Sequence, residues 1–75
     1  MTLKEILTPR QFEMASLVRY GYENSEIAKE MRLKENSVKQ RLYRIYVRLG
    51  FSKRVELAVR FALEEAEGCY SRRAA

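Results

Sequence analysis

The sequence holds no histidine and a single cysteine, Cys69, among its 75 residues. Without imidazole there is no side chain poised for acid–base work near neutral pH. One thiol cannot assemble a zinc centre of the usual kind. Nor can it close an internal disulfide, which suits a reducing compartment. Carboxylates remain, but no pair of acids stands out from the exposed helix faces, so neither a catalytic centre nor a metal or cofactor is expected. No apolar run approaches the ~20 residues that span a bilayer. The opening Met1-Thr2-Leu3-Lys4-Glu5 lacks the basic start and apolar stretch of a signal peptide. The expectation is a cytoplasmic, non-enzymatic domain without membrane attachment. At this length it has a single core and is marginal alone, so it stands to gain from a partner.

One proline and three glycines punctuate the chain. Nothing alternates with period two between turn residues, so strands are not expected and the fold class is all-α. Four helices emerge from the periodicity. The first opens at Thr8-Pro9-Arg10-Gln11, where threonine can cap, proline suits the first helical position and glutamine can close a capping box. Met14, Leu17 and Val18 form its core stripe, and Gly21 is a left-handed terminator. Tyr20 and Tyr22 are expected to cover the loop that follows. The second helix spans about 24–31, with Ile27, Ala28 and Met31 facing inward. A tight connection, Arg32-Leu33-Lys34, leads to the third at about 35–49. There Val38, Leu42, Ile45, Tyr46 and Leu49 recur at i, i+4, i+7, i+8 and i+11 as an inward stripe. A turn of about 100° per residue places Asn36, Lys39, Gln40, Tyr43, Arg44 and Val47 on the opposite face. Gly50 ends that helix, and the fourth runs from about 53 to 67. Residues 1–68 form the domain, and 69–75, with Arg72 and Arg73, are expected as a flexible tail.

Charge is distributed unevenly. Residues 1–31 carry four basic and five acidic side chains, net −1, and residues 55–75 carry three and four, again net −1. Residues 32–54 carry eight basic side chains (Arg32, Lys34, Lys39, Arg41, Arg44, Arg48, Lys53, Arg54) against one acid, Glu35, for net +7. A solvated face would mix both signs. A block of one sign across a helix is the footprint of a nucleic-acid contact surface. Two helices joined by a few residues, the second basic on its outer face, make a helix-turn-helix arrangement whose second helix fits the major groove.

The motifs resemble those of the LuxR-type (GerE-like) DNA-binding domain. They are Leu7-Thr8-Pro9-Arg10; Gly21 with Asn24-x-Glu26-Ile27-Ala28; Glu35-x-Ser37-Val38-Lys39; Leu49-Gly50; and Arg54-Val55-Glu56-Leu57-Ala58. Any one is weak, but all five fall in register between residues 7 and 63. The resemblance implies a four-helix bundle containing a helix-turn-helix, with the third helix as recognition helix and the fourth dimerising. It implies a sequence-specific, nucleoid-associated transcription regulator with duplex DNA, a second copy of the chain and RNA polymerase as partners. By position, Lys39, Gln40 and Tyr43 fall where the family meets bases. Ser37, Arg41 and Arg44 fall among or beside positions that meet phosphates, as do Asn24 and Ser25 at the start of the second helix.

The chain also departs from the pattern. Glu23, Lys34 and Lys53 stand where the family has Ser or Thr before helices. Lysine offers no acceptor to free N–H groups, so caps must shift (to Asn36 or Ser52) or weaken. A lysine there opposes the helix dipole unless a phosphate sits nearby, which makes Lys34 a backbone-contact candidate. Gln11 replaces a glutamate that would pair with Arg54, leaving at most a neutral hydrogen bond. Tyr43 and Arg41 also differ from the usual residues, so base preference does not transfer. Tyr43 either reads a base or covers apolar surface.

On the fourth helix, Leu57, Ala58 and Phe61 lie on one side, while Val55, Val59, Ala62 and Ala66 form a second apolar stripe. That stripe is the expected two-fold interface, with Glu56 and Glu67 pairing with basic neighbours at its rim; packing within the same molecule is the alternative. Two other functions stand beside the leading one. A sigma-factor-like promoter-reading domain has a similar Val-Lys-x-Arg-Leu run, but it normally ends with its third helix. A module that sequesters a related regulator would not need the +7 block. Whether the chain acts alone or as the output end of a longer regulator stays open.

Overall fold

The computed structural model describes residues 1–68, and the expected tail at 69–75 lies outside them. Among the described residues there is no strand, and five helices follow one another: α1 (Leu3–Ile6), α2 (Pro9–Arg19), α3 (Asn24–Met31), α4 (Glu35–Leu49) and α5 (Arg54–Ala66). The last four correspond to the helices expected from periodicity.

To the four expected helices the structure adds the short α1. Four residues make little more than one turn, too short to show a 3.6-residue period, and so short a helix does not hold without outside support. Three features supply it. Glu5 Oε1 accepts from the Thr2 backbone N–H at 2.7 Å, closing a capping box. Leu3 and Leu7 are buried in the core. The Leu3 N–H donates to Oε1 of the buried Glu64 at 2.8 Å. Arg60 pairs with the same carboxylate and donates to the Met1 carbonyl at 2.6 Å, tying the start of the chain to α5.

Three turns end in left-handed residues that recover carbonyls at the helix C-termini. Gly21 (φ 83°) and Gly50 (φ 74°) occupy the expected positions. After each, the next N–H reaches back five residues: Tyr22 N–H to Leu17 O at 3.1 Å, and Phe51 N–H to Tyr46 O at 2.8 Å. The third is Arg32, at φ 56° and ψ 48°, followed by Leu33 N–H to Ala28 O at 2.8 Å. An L side chain in that region costs about 1–2 kcal/mol. The conformation is what turns the chain from α3 into α4 within three residues.

The core draws on every helix. Met14, Ala15 and Val18 come from α2, Ile27, Ala28 and Met31 from α3, Val38, Leu42 and Ile45 from α4, and Leu57 and Phe61 from α5. Leu17, Tyr46 and Leu49, expected inward, are half-buried and pack against its rim. Complete burial of a residue such as Ile27 or Ile45 contributes about 1.5–3 kcal/mol. α2 is the hub, packed against α5 on one side and α3 and α4 on the other. The Phe12 and Phe61 rings meet with centroids 5.1 Å apart. Tyr22 is half-buried against the core, whereas Tyr20 is exposed and its hydroxyl donates to Glu65 Oε2 at 2.8 Å. Tyr20 therefore fastens α2 to α5 rather than covering a loop. Arg19 Nε lies 3.3 Å from Glu65 Oε1 in the same joint, an ion pair without hydrogen-bond alignment.

Candidate nucleic-acid interface

Burial of Val38, Leu42 and Ile45 turns the opposite face of α4 outward. Lys39, Gln40, Tyr43 and Arg44 are exposed and line one shallow depression on that face. Tyr43 is 67% exposed, so it does not cover apolar surface of its own domain. Val47 continues the same face at 61% exposure. A helix of this diameter fits the B-DNA major groove, about 12 Å wide.

The cations divide into two populations. Arg19 and Arg60 are paired with Glu65 and Glu64, and Arg10 lies 3.8 Å from Glu13. Arg32, Lys34, Lys39, Arg41, Arg44 and Arg48 make no ion pair or side-chain hydrogen bond among the described residues. The positive block is thus not neutralised by the protein's own acids, and its field is available to an anionic partner.

Helix starts complete the picture. Neither Asn36 nor Ser52 takes over as a cap: Lys34 and Lys53 are the N-cap residues, both in extended conformation. At α5 the deficit is met from inside the helix, where Glu56 Oε1 accepts the N–H groups of Ser52 and Lys53, each at 2.8 Å. Glu56 therefore caps the start of its own helix. At α3, Glu26 Oε1 accepts the Glu23 N–H at 2.8 Å in the same manner. At α4 no side-chain cap is formed. Lys34, exposed, and Ser37, half-buried, stand at that start.

Asn24 and Ser25 open α3, and Ser25 is exposed. Asn24 Oδ1 accepts from Arg54 Nη1 at 2.7 Å, leaving its amide N–H groups free to donate. Arg54 also donates to the Tyr22 carbonyl, and its charge lies near the Tyr46 phenol. Burial raises the Tyr46 phenol above its ordinary value, with Arg54 opposing the rise. Gln11 and Arg54 make no hydrogen bond to each other, within the limit set by replacing a glutamate with a neutral amide. Gln11 Oε1 instead accepts the Thr8 N–H at 3.1 Å, while Thr8 Oγ1 accepts the Gln11 N–H at 3.2 Å. A reciprocal cap three residues away constrains a short amide more readily than a distant guanidinium does. Arg54 thus joins α5, α3 and the loop before α3, beside the Tyr46 phenol of α4.

On α5, Val55 and Val59 are 59% and 52% exposed, Ala62 is half-buried and Ala66 exposed. Leu63, 58% exposed, belongs to this stripe and was missed by the sequence reading. Its signal was present, since Val55, Val59 and Leu63 are spaced i, i+4 and i+8.

Among the described residues no helix is long and apolar enough to cross a membrane, and no cluster of ligating side chains could hold a metal ion. No curated protein and no solved structure matches the chain. The family model for bacterial regulatory proteins of the luxR family (GerE) matches residues 5–61. That span takes in every helix of the domain except the ends of α1 and α5. It is a family of DNA-binding regulatory domains, not of enzymes. The chain belongs to the luxR family of bacterial regulatory proteins.

Proposed function

We propose that this domain, residues 1–68, is a sequence-specific duplex-DNA reader of a cytoplasmic, nucleoid-associated transcription regulator. In this reading α4 enters the major groove, where Lys39, Gln40 and Tyr43 meet base edges. Gln40 is suited to the paired donor and acceptor of adenine, and Lys39 to the acceptors of guanine. Asn24, Ser25, Lys34, Ser37, Arg41 and Arg44 meet phosphates on either side. The observation that carries the proposal is the set of unpaired cations on and around the outward face of α4. They stand beside exposed side chains able to hydrogen-bond bases.

A second copy docks on α5 through Val55, Val59, Ala62, Ala66 and Leu63. Three exposed branched residues on one stripe of a small domain favour a partner with the same stripe, because a two-fold interface uses one patch twice. Such a pair would present two α4 helices to half-sites about one helical turn apart. The patch is small, so pairing is completed on DNA. RNA polymerase is the further partner that a regulator of this kind would meet.

The test is affinity for a duplex against salt concentration. A dimer with about 6–10 phosphate contacts should lose roughly 10³–10⁵ in affinity between about 50 and 200 mM salt. Affinity flat over that range would exclude DNA backbone contact and favour a protein-sequestering module.

A further inference from the structure

Beside the reading face, a cleft of about 120 Å³ lies between the start of α2 and α4. Arg10 enters it from α2, and Arg41 and Arg44 from α4, with the buried Met14 and Met31 lining its inner side. No acidic side chain lines it. Three guanidinium-bearing side chains around one small cavity repel one another, and an anion seated among them relieves that repulsion. Arginine's planar fork suits phosphate oxygens in particular. Arg44 lines both this cleft and the depression formed by Lys39, Gln40 and Tyr43, so the two adjoin at that side chain. An anion in the cleft would sit at the edge of whatever the α4 face covers.

We infer that the cleft is a clamp for one phosphodiester of the DNA strand flanking the α4 contact, with Arg10 of α2 as its outer jaw. The inference rests on the proposal that α4 lies in the major groove, and it adds α2 to the binding surface. Arg10 is free to serve. Its pairing with Glu13 is long, at 3.8 Å, with both side chains more than half exposed. Its other tie is one bond from Nη2 to the Met31 carbonyl at 3.4 Å. An exposed pair of that kind is weak enough for a phosphate to displace. The Met31 bond does the opposite, holding the guanidinium over the cleft before DNA arrives. A bound phosphate would brace α2 against α4, so that the scaffold helix and the recognition helix grip the same strand.

The test uses the whole chain and a random-sequence duplex, comparing wild type with Arg10→Ala and Arg10→Lys. Arg10→Ala should lower the slope of log affinity against log salt by about one, the signature of one lost phosphate contact. Arg10→Lys, which keeps the charge but not the guanidinium bond to Met31, should keep the wild-type slope. If the Met31 bond were what mattered, Lys and Ala would behave alike, and that result overturns the clamp. Replacing single phosphates by uncharged methylphosphonate should reveal one position that weakens wild type several-fold and leaves Arg10→Ala unaffected. An Arg10→Ala slope equal to wild type overturns the clamp while leaving DNA reading by α4 standing. Absence of salt-dependent binding by wild type overturns both.

Discussion

Arg54 Nη1 lies 2.7 Å from Asn24 Oδ1, so the first turn of α5 is bonded to the first turn of α3. The same guanidinium donates to the Tyr22 carbonyl and lies near the Tyr46 phenol, which brings the loop before α3 and the far half of α4 to one joint. Hydrogen bonds from a charged group contribute about 1.5–3 kcal/mol net, and acceptors left without a donor in a half-buried site add to the loss. Arg54→Ala should therefore cost about 2–3 kcal/mol in urea unfolding, and Asn24→Ala about 1 kcal/mol. The double substitution should cost less than the sum, because both remove the same bond. Arg54→Lys should recover little, since a single ammonium cannot reproduce the fork. Strict additivity would show that the two residues act independently.

Lys34 stands at the N-cap of α4 with no side-chain cap formed, in a position where a hydroxyl would stabilise the helix. Lys34→Ser should raise domain stability by about 1 kcal/mol. It should also lower the salt slope of duplex binding by about one, because a phosphate contact is lost. Stability and binding would then move in opposite directions. Loss of stability in this variant would mean that Lys34 serves the fold.

The start of α1 is sensitive to acid. Glu5 accepts from the Thr2 N–H and hydroxyl, and these bonds hold its carboxyl below the ordinary value of 4.5. A folded-state pKa below the unfolded one gives a contribution present above the unfolded value and lost as pH falls through the folded one. Acidification should thus release the α1 cap, with amide exchange at Leu7, bonded to the Leu3 carbonyl, rising before exchange in the core of α2. Titration of Glu5 at or above 4.5 would contradict this.

Val59 is 52% exposed on the outer stripe of α5, so a charge there should leave the fold within about 0.5 kcal/mol of wild type. Val59→Glu should nonetheless abolish cooperative binding to a duplex with two half-sites while preserving binding to one. Persistence of cooperativity would remove α5 as the interface.

Much of this architecture is legible in the residues, for physical reasons that differ by element. α4 is readable because fifteen residues carry four turns of uninterrupted period and a glycine at the left-handed exit. α2 is readable from local chemistry, since Thr8, Pro9 and Gln11 satisfy one another within a single turn. What escapes is whatever depends on distant parts of the chain. α1 exists because Glu64, sixty-one positions away, caps it. The Arg54 joint escapes because Gln11 and Asn24 are both amide-bearing acceptors, and only the packed geometry selects Asn24. Arg10 looks like a helix-start cation until folding sets it beside Arg41 and Arg44. Residues on the outer face of α4 follow directly from rotation about the helix axis. What they read does not, because a helix face shows which groups are presented and not which bases meet them.

Selection of bound sequences from a random duplex pool, run with wild type and Gln40→Ala, tests the central claim most directly. Wild type should enrich one motif in two copies about a helical turn apart. Gln40→Ala should still bind random duplex with the same salt slope yet lose preference at one position in each copy, worth about 1–3 kcal/mol there. An unenriched pool with wild type, or an identical motif from Gln40→Ala, would contradict sequence reading by the outward face of α4.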